Sequence, residues 1–102
     1  MKKVIDGKMY NTDTAKQLGE WSYGRYGDIN YMSETLYQTK KGAFFIYYEG
    51  GANTDYGVDT GNFNRSEGRG IRLLSTKEAR NWCEEHMDAD DYVEVFGEVE
   101  EG

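Results

Sequence analysis

Cys83 and His86 stand three residues apart on a segment with helical periodicity, a spacing that puts a thiol and an imidazole on one face. Such a pair has the makings of a nucleophile and a base. A cysteine protease, however, brings its histidine from a distant segment. Cys83 also lies on the apolar stripe of its helix, where a small buried thiol is inert. His86 closes that stripe near a helix C-terminus, a place that favours an imidazolium, and a half-buried helix-end residue accounts for it. It is the only histidine, and Cys83 the only cysteine, so neither a two-histidine metal motif nor a cysteine zinc site can form. Asp88-Ala89-Asp90-Asp91 gathers three carboxylates but lacks the twelve-residue calcium loop and its glycine at position six, so it reads as a helix cap. Arg65 and Arg69 lie in a glycine-rich stretch that has neither a Gly-Lys-Ser/Thr ending nor a Gly-x-Gly-x-x-Gly motif to cradle phosphate. No residue is assigned to catalysis or to a metal, and no cofactor is expected.

Binding is better represented than chemistry. The chain carries 19 Asp and Glu against 12 Lys and Arg, a formal charge of −7. Residues 1–83 hold ten of the acids and all twelve bases, whereas residues 84–102 hold nine acids and no Lys or Arg. A block of this sign repels nucleic-acid phosphates and attracts basic surfaces. A solubilising tail is the plain alternative. The acids are interleaved with Tyr92, Val93, Val95, Phe96 and Val99, which a solvated tail does not need. The candidate partner-binding residues are therefore Glu84, Glu85, Asp88, Asp90, Asp91, Glu94 and Glu98. Tyr47, Tyr56, Arg65 and Arg69 join them from the middle of the chain, because tyrosine and arginine are enriched at interface hot spots.

The elements that must position these groups follow from pattern. Val4 to Tyr10 reads as a short strand with a turn signal at Asp6-Gly7. Asn11 to Thr14 offers helix caps, and Ala15, Leu18 and Trp21 then recur at helical spacing, with Gly19 as a stop. Residues 22–31 read as a loop carrying Tyr23, Tyr26 and Tyr31. Ser33–Thr39 and Ala43–Glu49 form a hairpin about Lys40-Lys41-Gly42; both faces of the second strand are aromatic or apolar, as in a central strand covered on both sides. Gly50 to Gly70 holds six glycines and reads as a long mobile loop. Ile71–Leu74 is a short strand. Ser75 and Glu78 make a capping box for a helix with Ala79, Trp82, Cys83 and His86 on one face. Asp88 caps a second helix with Tyr92, Val95, Phe96 and Val99 on one face and Gly97 as its stop. The order is β-α-β-β-β-α-α. The fold class is α+β, a three- to four-stranded antiparallel sheet with helices packed on it, expected to be one domain over residues 1–102.

Composition bounds the rest. Leu, Ile, Val and Phe together number only 17, but nine Tyr and two Trp supply large buried areas, so a folded domain with an aromatic core is expected. No apolar run of membrane-spanning length occurs, Asp6 and Lys8 interrupt any signal-peptide core, and the single cysteine allows no internal disulfide, so reducing cytoplasm is the expected location.

Ile5-Asp6-Gly7-Lys8-Met9-Tyr10-Asn11-Thr12 with Thr14-Ala15, Gly42-Ala43-Phe44-Phe45, Glu49-Gly50-Gly51-Ala52 and Ala89-Asp90-Asp91-Tyr92…Phe96-Gly97-Glu98 resemble small acidic proteins of Gram-positive plasmids and phages. Some of these are type II anti-CRISPR proteins. The resemblance implies a non-enzymatic Cas9 inhibitor that blocks guide-RNA loading, target-DNA binding or cleavage, with Cas9 or another CRISPR effector as its partner and no direct DNA binding. Cas9 channels are basic because they hold an RNA–DNA hybrid. Two other readings compete: a small nuclease acting on guide RNA through Arg65, Arg69, Arg72 and Arg80, and a regulatory module binding another host protein. Self-association is also open to the chain, because its acidic end complements the positive remainder, and a homodimer is one outcome.

Overall fold

A four-stranded antiparallel sheet carries two different layers on its two faces in the computed structural model, which describes residues 1–102. Its strands are β3 (Lys16–Tyr23), β4 (Met32–Gln38), β5 (Phe44–Gly50) and β8 (Gly68–Leu74), in the spatial order β3-β4-β5-β8. Two separate hairpins accompany it, β1 (Lys2–Ile5) with β2 (Lys8–Asn11), and β6 (Val58–Gly61) with β7 (Asn64–Ser66). Helices α1 (Thr76–His86) and α2 (Ala89–Phe96) close the chain. The class is α+β with antiparallel sheets.

Strand alternation divides the core in two. Leu36, Phe44, Ile46 and Leu74 point to one face and pack with Ala79, Trp82 and Cys83 of α1. Met87 and the α2 residues Tyr92, Val95 and Phe96 extend that layer. Phe45 and Ile71 point the other way and meet Tyr10 of β2, with Ile5, Ala15, Tyr37 and Leu73 around them. The Phe45 ring stacks on Tyr37 at 5.2 Å and meets Tyr10 edge-on at 5.8 Å. β5 is thus a central strand covered on both faces, as its unbroken apolar run predicts, and each fully buried side chain there contributes roughly 1.5–3 kcal/mol.

Four expectations are corrected. The helix expected after Asn11 does not form. The Asn11 side chain and carbonyl take up the N–H groups of Asp13, Thr14 and Ala15 in a turn, and the chain then enters β3. A bulge between Gln17 and Gly19 shifts the register against β4, so Leu18 and Trp21 both reach the helix-covered face. That bulge imitates helical spacing with a strand. Gly19 has a further role: a methyl group there would lie 3.1 Å from the Met87 sulfur and 3.4 Å from the Trp82 ring, so glycine lets α1 approach the sheet. Second, the single strand expected over Val4 to Tyr10 is two strands, folded back at Asp6-Gly7. Third, the Gly50 to Gly70 stretch is not one loop, because it contains β6, β7 and the start of β8. The order is therefore eight strands followed by two helices. Fourth, Val99, placed on the α2 face by spacing, lies beyond the Gly97 cap and is exposed.

Candidate functional site

The carboxylate block stands on two capped helices. Ser75 Oγ accepts the Glu78 N–H at 3.1 Å, and the Ser75 N–H donates to Glu78 Oε1 at 2.9 Å, the capping box read from sequence. The Ser75 N–H first, and the Ser75 hydroxyl second, hold the Glu78 carboxyl below its usual range. α1 ends at Met87 and α2 starts at Asp88, whose Oδ1 accepts the Asp91 N–H at 2.9 Å. The left-handed Gly97, at φ 92°, ends α2. Phe96 ties this helix to the sheet, with its ring 5.6 Å from Phe44, 5.1 Å from Tyr92 and 5.5 Å from the Arg80 guanidinium.

The structure brings Glu84, Glu85, Asp88, Asp90, Asp91 and Glu94 together on the last turn of α1 and on α2, with Glu98 just past the cap; all are exposed. The molecule has two ion pairs, Arg65–Asp59 at 3.1 Å and His86–Glu85 at 3.7 Å, the second requiring a protonated imidazole. The other six of these acids have no cationic partner. Repulsion within the block falls on Asp91, whose carboxyl is raised first by the neighbouring Asp88 charge, with the Glu94 charge adding to it.

The remaining candidates are dispersed. Tyr56 packs on the helix-covered side, stacked on Tyr48 at 4.3 Å, with its hydroxyl donating to Glu34 Oε2. Burial and the Glu34 carboxylate together push that hydroxyl far above its ordinary value. Glu34 Oε1 also accepts the Trp82 indole N–H at 2.8 Å. One carboxylate therefore links the glycine-rich stretch, the sheet and α1. Tyr47 lies on the opposite face, where its hydroxyl donates to Glu49 at 3.3 Å and Glu49 stands in register with Arg69. Glu49 and Arg69 line an open cleft of about 530 Å³ with Tyr26, Asp28, Ile29 and Tyr31. Arg65 folds back over the preceding segment, donating to the carbonyls of Ala52 (2.8 Å), Thr54 (3.2 Å) and Gly57 (3.1 Å) and to Asp59.

The possible chemistry of the Cys83–His86 spacing changes once it is placed. Cys83 is fully buried, and burial pushes its thiol up to about 11, away from the reactive thiolate. The His86 ring sits 4.8 Å from Trp21 and 4.9 Å from Trp82, half-buried between two indoles. Nowhere do three His, Cys, Asp or Glu side chains converge in a metal-holding group. No helix is long and apolar enough to cross a membrane.

Comparison with protein-family models, curated proteins and solved structures finds no match.

Two residues of consequence escaped the sequence reading. Glu34 had a usable signal, because it alternates with Met32 and Leu36 and so puts a carboxylate on an apolar strand face. Glu49 had none, because its partner Arg69 is set by the β5–β8 pairing across an intervening hairpin.

Proposed function

We propose that this chain is a non-enzymatic inhibitor that lays its acidic helical layer on the basic nucleic-acid channel of a CRISPR effector in the bacterial cytoplasm. Cas9 is the effector implied by the sequence resemblance. One observation carries the reading: the unpaired carboxylates of α1 and α2 sit on capped helices tied to the core by Phe96, rather than on a loose tail. A fixed array of negative charge competes with phosphates for a basic channel and steers encounter at a rate that falls as salt rises. Occupying the channel blocks guide-RNA loading, target-DNA binding or cleavage without a chemical step.

Purified protein added to Cas9 before or after guide RNA tests the proposal by target cleavage. Inhibition that depends on order of addition, weakens with salt and leaves guide RNA at full length on a denaturing gel supports it. The variant E84Q/E85Q/D90N/D91N/E94Q keeps the Asp88 cap and removes five charges, and it should lose most of the inhibition. Absence of inhibition at large molar excess ends the Cas9 reading, and equal inhibition by the variant ends the electrostatic one.

A further inference from the structure

The chain has two hairpins with two-residue turns, and they are built differently. In β1–β2 the pair Ile5–Lys8 encloses Asp6 and Gly7, at φ 51° and 77°. In β6–β7 the pair Gly61–Asn64 encloses Asn62 and Phe63, at φ 49° and 63°. Both central residues of such a turn need positive φ, which Asp-Gly and Asn-Gly supply with least strain. The first hairpin follows that chemistry, whereas the second puts a phenylalanine where glycine belongs. A bulky side chain in the left-handed region is an outlier that persists only where the surroundings impose it. The Phe63 ring is also fully exposed, so burial in the fold does not offset the strain.

The base of this hairpin is held firmly. Arg65 bonds three carbonyls of the preceding segment and pairs with Asp59 across the hairpin. A strained and unburied aromatic is thereby presented on a pre-organised support, the arrangement in which an interface anchor loses least on binding. We propose that Phe63 is an anchor that inserts into an apolar pocket of a protein partner. Charge selects a protein: residues 51–69 carry Asp55, Asp59 and Glu67 against Arg65 and Arg69, and this net negative balance disfavours phosphate-rich surfaces. The inference rests on the binding reading above but does not require that the partner be Cas9.

The test uses the full chain as wild type, F63G and F63W. Without a partner, F63G should melt at or above the wild-type temperature, because glycine relaxes the turn. A clear fall would show that the ring stabilises the fold and would overturn the proposal. Against immobilised Cas9, F63G should bind at least tenfold more weakly and F63W near wild type. Wild-type binding that F63G retains in full overturns the anchor and leaves the acidic-surface reading intact. If wild type does not bind Cas9, that reading falls, and a benzoylphenylalanine crosslinker at position 63 decides the anchor in host lysate. An adduct suppressed by excess wild type but not by excess F63G supports it, and no adduct, or equal suppression by both, overturns it.

Discussion

The Trp82 indole N–H donates to Glu34 Oε1 across 48 residues of sequence, joining the middle of α1 to the second strand of the sheet. The other Glu34 oxygen accepts the Tyr56 hydroxyl, so a carboxylate on the helix-covered face has a donor at each oxygen. Glu34 is half-buried, so each donor replaces hydration that the packed helix partly removes from the carboxylate.

Trp82→Phe should therefore cost more than its lost area. It keeps most of the ring but leaves one Glu34 oxygen without its donor, a penalty of about 1–3 kcal/mol. Chemical denaturation of the wild type and W82F measures it. Adding Glu34→Leu to W82F removes the stranded carboxylate, so the double variant should recover part of the loss.

Tyr56 gives the same network an alkaline signature. Its hydroxyl titrates well above its ordinary value in the folded chain, because of burial first and the Glu34 carboxylate second. The unfolded chain ionises tyrosine near about pH 10. The contribution is thus complete below pH 10 and is lost as pH rises beyond it, because only the unfolded state then releases the proton. Tyr37 and Tyr47 are raised as well and act in the same direction. Tyr56→Phe should flatten, but not abolish, the decline in melting temperature above about pH 10.

How far the sequence reveals this arrangement depends on the range of the interaction. α1 and α2 are legible because the Ser75–Glu78 box and the Asp88 cap are local bonds that span three residues. The β4–β5 hairpin is legible for the same reason, with Lys40-Lys41-Gly42 between its strands. β3 misleads because its bulge gives Leu18 and Trp21 a helical interval, and only the pairing with β4 distinguishes the two forms. The acidic layer is visible as composition. Its placement opposite Tyr47 and Arg69 is not, because the faces follow from a sheet closed by β5 and β8 across the β6–β7 insertion.

Arg65 should govern local rather than global stability. Its four hydrogen bonds all end within residues 52–59, away from the buried core. Arg65→Ala should speed amide exchange across the β6–β7 hairpin by roughly tenfold, equivalent to about 1.4 kcal/mol, and leave β5 and α1 protected. Arg65→Lys should behave nearly as badly, since one ammonium cannot reproduce the fork geometry. Peptide-resolved hydrogen exchange measures both. Exchange that accelerates equally in β5 would show that the hairpin is coupled to the core.

Two carboxyls in the helical layer should pull acid stability in opposite directions. Glu78 is held below its usual range by its bonds to Ser75, so its contribution is present above about pH 4.3 and is lost as pH falls through its lower folded value. Asp91 is raised by Asp88, so its charge opposes folding at neutral pH, and that opposition fades as pH falls through a value above its ordinary one. An acid in the first turn of α2 also gains from the helix dipole, which works against the repulsion from Asp88 and Glu94. Asp91→Asn should therefore melt at or above the wild type at neutral pH and lose that advantage on acidification. Glu78→Gln keeps a side chain able to complete the capping box and should remove the downward acid limb. Melting temperatures of both variants between about pH 3 and 7 separate the two effects. A D91N chain that melts lower than the wild type at neutral pH would place the dipole above the repulsion, and the acidic layer would then be self-stabilised rather than poised for an outside cation.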